Sequence, residues 1–193
     1  MTLEDEVDAA RRGDAAAMNS VFARNLNPLV AFIRARAGRD LMERESAHDL
    51  AQSVCREVIQ DLADFEYRGD EEFRAWLFQQ ATRKILDRAR YHHREKRAVS
   101  REVAMPDDEA SAEALLACYA TLCTPSQYAS ARDELARFEA AVQRLPEAQR
   151  DAVTMSRLMN LSYGVIAEQL GVTESAVRGL VARGLATLAE DMA

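Results

Sequence analysis

The chain has 193 residues, 48% hydrophobic and 30% charged, with a formal net charge of −7. That is enough for one large or two small domains with a real core, and the acidity excludes a protein that coats nucleic acid through bulk positive charge. No apolar run reaches the roughly 18 residues of a membrane span, and the start, MTLEDEVDAARRGD, lacks the apolar stretch of a secretory signal, so a cytoplasmic protein is expected.

Seven glycines and four prolines are few, in a chain rich in Ala, Leu, Glu and Arg, which favours helices. Leu3 to Arg12 reads as a short amphipathic segment broken at Gly13. Asp14 then caps a longer helix whose apolar positions, Met18, Val21, Phe22, Leu26, Leu29 and Ile33, step by three and four. Pro28 should kink or split it, and AGRD at 37–40 ends it. Ser46 or Asp49 opens the next helix, with Leu50, Val54, Val58, Ile59 and Leu62 as its buried stripe.

FEYRGDEE, 65–72, is the strongest loop signal in this half. FRAWLFQQATRKILDRARYHHREKR, 73–97, reads as one long helix with Phe73, Trp76, Leu77, Ala81, Ile85 and Ala89 on its apolar face. From Arg83 to Arg101 eight basic residues (Arg83, Lys84, Arg88, Arg90, Arg94, Lys96, Arg97, Arg101) face only Asp87 and Glu95, with Tyr91, His92 and His93 interleaved. Helix-dipole complementarity explains two or three cations at a helix end, not eight. The stripe points to a polyanion.

Residues 98–125 read as a flexible linker with Pro106 and a short helix within LLACYATLC, 115–123. A helical block starts between Ser126 and Arg132 and runs to Arg144, Leu145-Pro146 interrupts it, and the rest is helical. The expected fold is all-α: two small helical domains, 1–97 and 126–193, joined by that linker. The histidines and the three cysteines, Cys55, Cys118 and Cys123, show neither zinc-finger spacing nor HExxH. Free thiols, no metal and no cofactor are expected.

The tail LSYGVIAEQLGVTESAVRGLVARGLATL, 161–188, has the pattern of a helix-turn-helix. Ser162 caps the first helix, where Val165, Ile166 and Leu170 face inward and Ala167 permits close approach. Gly171 suits the left-handed position after the helix, Val172 plugs the turn into the core, and Thr173 caps the second helix. Val177, Leu180 or Val181, Leu185 and Leu188 pack back. The second helix offers Ser175, Arg178 and Arg183 outward, with Gly179 and Ala182 carrying no reading side chain. Direct readout needs donors and acceptors at base edges, so this module alone should bind duplex weakly. Two weak modules on one chain gain affinity if they engage two elements together.

The ordered stretches GDAAAMNSVFARNLNPLVAFIRARAG, HDLAQSVCREVIQDLADFEYRGDEEFRAWLFQQATRKILDRARYHHREKR and LPEAQRDAVTMSRLMNLSYGVIAEQLGVTESAVRGLVARGLATL resemble the sigma-70 family of bacterial transcription initiation factors, in its small extracytoplasmic-function (ECF) form. The resemblance implies that Asp49, Leu50 and Gln52 dock on the clamp coiled coil of the large RNA polymerase subunit, with the flap as a second contact. It implies that the loop with Phe65 and Tyr67 holds a base flipped from the −10 element, and that Lys84, Asp87, Arg88, Arg90, Tyr91 and Arg94 line that strand. Ser175, Arg178, Gly179, Ala182 and Arg183 fall where the family meets the −35 element, the linker runs toward the RNA exit path, and an anti-sigma factor is an expected partner. A basic groove with aromatic faces suits captured single-stranded bases, while Trp76 sits on the apolar stripe and reads as core. The family usually has an aromatic at Cys55, asparagine at Lys84, threonine at Ala176 and arginine at Leu180, and the last two departures thin the −35 contacts.

Two other classes stay open: a plain helix-turn-helix regulator, which leaves 14–97 without a role, and a sigma-like decoy that only binds an anti-sigma factor. No phosphate loop, nucleophile elbow or paired acids mark an enzyme, and the scattered Asp and Glu read as polar helical faces.

Overall fold

In a computed structural model of the chain, residues 3–62, 65–94, 109–120 and 131–192 are described. They form ten helices and no strand: α1 (Leu3–Arg11), α2 (Ala15–Ala37), α3 (Arg39–Met42), α4 (Ala47–Asp61), α5 (Asp70–Arg94), α6 (Glu109–Tyr119), α7 (Ala131–Arg144), α8 (Glu147–Arg157), α9 (Tyr163–Leu170) and α10 (Glu174–Met192). Lys96, Arg97, Arg101, Pro106 and Cys123 lie outside the described residues.

The axis of the molecule is α2. Gly13, at φ +88°, ends the turn after α1. The Asp14 carboxylate then accepts from the N–H groups of Ala16 (2.9 Å) and Ala17 (3.0 Å), two of the donors a helix start leaves unpaired. Pro28 does not split the helix, which runs unbroken for 23 residues. Proline removes one backbone donor and crowds the preceding turn. That local cost is overridden because Leu29, Val30, Ala31, Phe32, Ile33 and Ala35 are all buried, a helix surrounded on all sides. Its neighbours are α1, α4, α5, α6, α7 and α8.

On one side α4 and α5 complete a first helical module. Ser46 caps α4, its hydroxyl accepting from the N–H groups of His48 and Asp49. Leu50, Val54, Val58 and Leu62 form the α4 stripe as expected, with Ile59 only half-buried. In α5 the buried face is Phe73, Leu77, Phe78, Ala81 and Ile85. Phe78, absent from the expected face, meets Phe32 of α2 at 4.7 Å between ring centroids. Ala89, expected on that face, is exposed. Trp76 is half-buried rather than enclosed.

The tail is a second module of α7 to α10. In the helix-turn-helix, Ser162 Oγ accepts from Val165 N–H at 3.4 Å and Thr173 Oγ1 from Ala176 N–H at 3.2 Å. Gly171 adopts φ +66°, and Val172 N–H reaches back to the Ala167 carbonyl at 3.0 Å, closing the end of α9. Val172 is not a plug: it is 41% exposed. Its backbone closes the turn while its side chain points outward, and Ile166, Ala167, Val177, Val181 and Leu188 supply the core. Gly184 lets α10 approach α8 closely, since a Cβ there would lie 2.6 Å from Val153 Cγ2.

Within 98–125 the expected short helix is α6, beginning earlier than LLACYATLC suggested. It packs against α2 and α7, burying Ala112, Leu115 and Tyr119, and the Tyr119 hydroxyl donates to the Ala31 carbonyl at 2.8 Å. The halves also touch directly at the C-terminal end of α2. Gln143 donates to the carbonyls of Arg34 (3.2 Å) and Ala35 (2.7 Å), partners that a helix end otherwise lacks. Arg34 pairs with Glu139, its Nη2 2.7 Å from Oε2, and Arg36 Nε lies 3.0 Å from Asp151 Oδ1. Burial raises the Asp151 carboxyl above its ordinary range, with Arg36 opposing that rise.

Candidate nucleic-acid interface

The expected −10 residues fall into two groups along α5. Phe65 and Tyr67 sit beside its N-terminal half. The Phe65 ring stacks on Trp76, centroids 4.4 Å apart and planes 15° apart, and meets Phe73 edge-on at 5.8 Å. The Tyr67 hydroxyl donates to Asp70, and the phenol is held well above its usual range by desolvation first and then by that carboxylate. Arg88, Arg90, Tyr91 and Arg94 occupy the other end. At 1.5 Å per residue, Trp76 and Tyr91 are about 22 Å apart along the axis, so one helix spans several nucleotides.

Of the five described cations of the stripe, Lys84, Arg88 and Arg90 have carboxylate partners. Lys84 is turned toward α4, where it pairs with Glu57, and is 19% exposed. Arg90 lies 3.6 Å from Asp87, one turn away, with both side chains exposed. Arg94 Nε donates to the Arg90 carbonyl at 3.4 Å. Arg88 reaches Glu45 at 2.5 Å, and His92 Nε2 meets the same carboxylate oxygen. The Arg88 guanidinium also lies 5.0 Å from the Tyr91 ring centroid, within cation–π range, while Tyr91 stays 42% exposed. Glu45 and Glu57 escape a reading of the sequence because their partners are 43 and 27 residues away. No period marks such a pairing.

The expected polymerase contacts divide. Asp49 and Gln52 are exposed on α4, while Leu50 is 2% exposed and belongs to the core. A residue so placed shapes the surface without touching a partner.

The expected −35 residues share one face of α10, at the spacing of three and four that places side chains together. Ser175, Arg178, Ala182 and Arg183 are exposed and Gly179 half-buried among them. Arg178 lies over the Tyr163 ring of α9 at 5.9 Å. Arg183 folds back across Gly179, its Nη1 3.1 Å from where a Cβ would be. The face has two cations and a short hydroxyl, as thin as its sequence suggested.

The two modules meet next to the Phe65–Gly69 loop. Glu71 of α5 accepts from the N–H of Ser162, the cap of α9, and that hydrogen bond holds its carboxyl below the ordinary range. Arg74 Nη2 donates to the Asn160 carbonyl at 3.3 Å.

An aromatic and basic helix, joined to a helix-turn-helix with its second helix outward, defines a class of two-module helical DNA-binding protein. Comparison with known proteins narrows the class. The Sigma-70 region 2 family model matches residues 21–95, and Sigma-70, region 4 matches residues 135–188. The ECF RNA polymerase sigma factor SigD of Mycobacterium tuberculosis is 30% identical over 197 residues, covering 100% of this chain and 87% of that protein. The RNA polymerase sigma factor NccH of Alcaligenes xylosoxydans xylosoxydans is 29% identical over 161 residues, 79% of this chain and 81% of that one. The fold is shared with CnrH in complex with the cytosolic domain of CnrY (TM-score 0.61, 22% identity, 95% of this chain and 92% of that chain). It is also shared with RpoE in complex with the anti-sigma factor NepR from Bartonella quintana (TM-score 0.59, 21% identity, 90% and 94%). The chain belongs to the sigma-70 family of RNA polymerase sigma factors, ECF type.

Proposed function

We propose that residues 1–97 bind core RNA polymerase and the −10 element, that 98–125 link the modules, and that 126–193 place α10 on the −35 element. The observation that supports this reading is that α5 and α10, on separate modules of one sigma-family chain, each expose arginines, with Tyr91 beside those of α5. Asp49 and Gln52 would meet the polymerase clamp. Phe65 and Tyr67 would receive an unstacked base, and Arg88, Arg90, Tyr91 and Arg94 would follow the strand. Polymerase performs the chemistry, and this chain supplies recognition and melting in the cytoplasm. Among the described residues no helix is long and apolar enough to cross a membrane.

The two modules are closed against each other. The −10 and −35 elements are roughly 25 base pairs apart, on the order of 80 Å at 3.4 Å each. A folded chain of this length has a radius of gyration of about 16 Å. Promoter binding therefore requires the modules to part, with core polymerase as the partner that holds them apart. An anti-sigma factor, the kind of partner bound to RpoE in the Bartonella quintana complex, would act in the opposite sense by holding the modules together.

Run-off transcription with bacterial core polymerase and a pool of genomic promoter fragments tests the reading. Specific transcripts with the native chain, lost with Arg88→Ala combined with Arg90→Ala, are expected. Co-purification with core and no transcript would favour the decoy reading, for which the sparse cations of α10 are the specific observation.

A further inference from the structure

We propose that Glu45 is a positioning residue for single-stranded DNA: it sets Arg88 and His92 around the Tyr91 ring, making Tyr91 a base-stacking platform at the C-terminal end of α5. The inference rests on the sigma reading above and adds to that −10 surface Glu45, to which neither the family match nor the residue pattern assigns a role.

Four observations converge. Glu45 is held by its backbone from both sides: its N–H donates to the Leu41 carbonyl at 2.9 Å, and the next residue, Ser46, caps α4. Its carboxylate is 13% exposed, so it has little freedom to follow a moving partner. It receives Arg88 and His92 together. Both of those groups touch one ring, Arg88 over Tyr91 at 5.0 Å and the His92 ring edge-on to it at 5.2 Å and 80°. A tie between the α3 turn and α5 needs one cation. Here one carboxylate fixes two groups a turn apart, and both frame an aromatic ring that remains 42% exposed.

The physical consequence is pre-organisation. An exposed tyrosine on a helix end samples several rotamers, and stacking a base on it costs the entropy of choosing one. Arg88 and His92 limit that choice before DNA arrives. Glu45 also draws Arg88 away from phosphate and toward the ring, exchanging sequence-independent backbone affinity for a defined stacking position.

The test uses holoenzyme of the full chain with bacterial core polymerase. The probe is a fork-junction DNA carrying a promoter recovered by run-off transcription, with 2-aminopurine placed in turn at each position of the −10 strand. Native protein is expected to quench the probe at one position, and Tyr91→Ala to abolish that quench and weaken binding about 10-fold. Glu45→Gln should lose at least half of the quench. It should also steepen the salt dependence by about 0.7 in log–log slope as Arg88 turns to phosphate. Arg88→Ala should lose the quench without the steeper slope. Glu190→Gln, a charge-matched change at the end of α10, should do neither. Native quench and slope in Glu45→Gln would overturn the inference and leave the sigma reading standing, as would a quench that survives Tyr91→Ala or no quench by a native holoenzyme that transcribes. No transcript and no binding by the native holoenzyme would overturn both.

Discussion

The Arg34–Glu139 pair is the sharpest test of how the two modules are held. It joins α2 to α7 across 105 residues of sequence, with the guanidinium 12% and the carboxylate 15% exposed. Burial opposes the charge on Arg34, yet the hydrogen bond and charge of Glu139 more than compensate, leaving the guanidinium held more firmly protonated than usual. Removing one member of such a pair strands the other. Glu139→Ala leaves a buried guanidinium without its carboxylate, a cost of about 3 kcal/mol. If the modules fold separately, that cost falls on their contact rather than on either core, and the closed-to-open ratio drops about a hundredfold. Small-angle scattering reads this directly. The native chain should give a radius of gyration near the roughly 16 Å of a folded chain this long, and Glu139→Ala a larger value with unchanged helical circular dichroism. Arg34→Met should behave alike, since it too removes the pair. Native radius and native melting in both variants would refute the argument that this pair holds the modules together.

Two glycines on α10 should respond in opposite directions to alanine. Gly184→Ala forces a methyl to 2.6 Å from Val153 Cγ2, and Val153 is fully buried. Overpacking of about 1–3 kcal/mol outweighs the roughly 1 kcal/mol that alanine gains in helix propensity, and the melting temperature should fall. Gly179→Ala meets only the flexible tip of Arg183 and should raise it; shifts of the same sign would refute the packing account. Phe78→Ala should cost about 3–5 kcal/mol in urea unfolding, because the ring is 4% exposed against Phe32, and a loss below about 1 kcal/mol would show the site to be loosely packed. Glu71 predicts a pH dependence. Its carboxyl is depressed in the folded chain, so its contribution is complete above the ordinary carboxylate value of about 4.3 and is lost as pH falls through the lower folded value. Glu71→Gln should flatten the acid limb of a pH–stability curve below about pH 4, and an unchanged limb would exclude the contact with Ser162 as its source.

What the residue order determined by itself was local. Stripes at spacings of three and four placed α2, α4, α5, α9 and α10, and Asp14, Ser46, Ser162 and Thr173 marked the starts of α2, α4, α9 and α10, because caps and periodicity act within one or two turns. The exposed face of α10 followed from the same spacing. Tertiary structure decided the rest. Pro28 sits within an unbroken α2 because packing on every side outweighs one lost hydrogen bond. Val172, expected in the core, is uncovered, since burial depends on which neighbours arrive. Glu57 and Glu45 became partners of Lys84 and Arg88, and α6 a wedge between α2 and α7, through contacts tens of residues apart in the chain. Such contacts leave no period in the sequence, because they arise only when helices built separately are brought together.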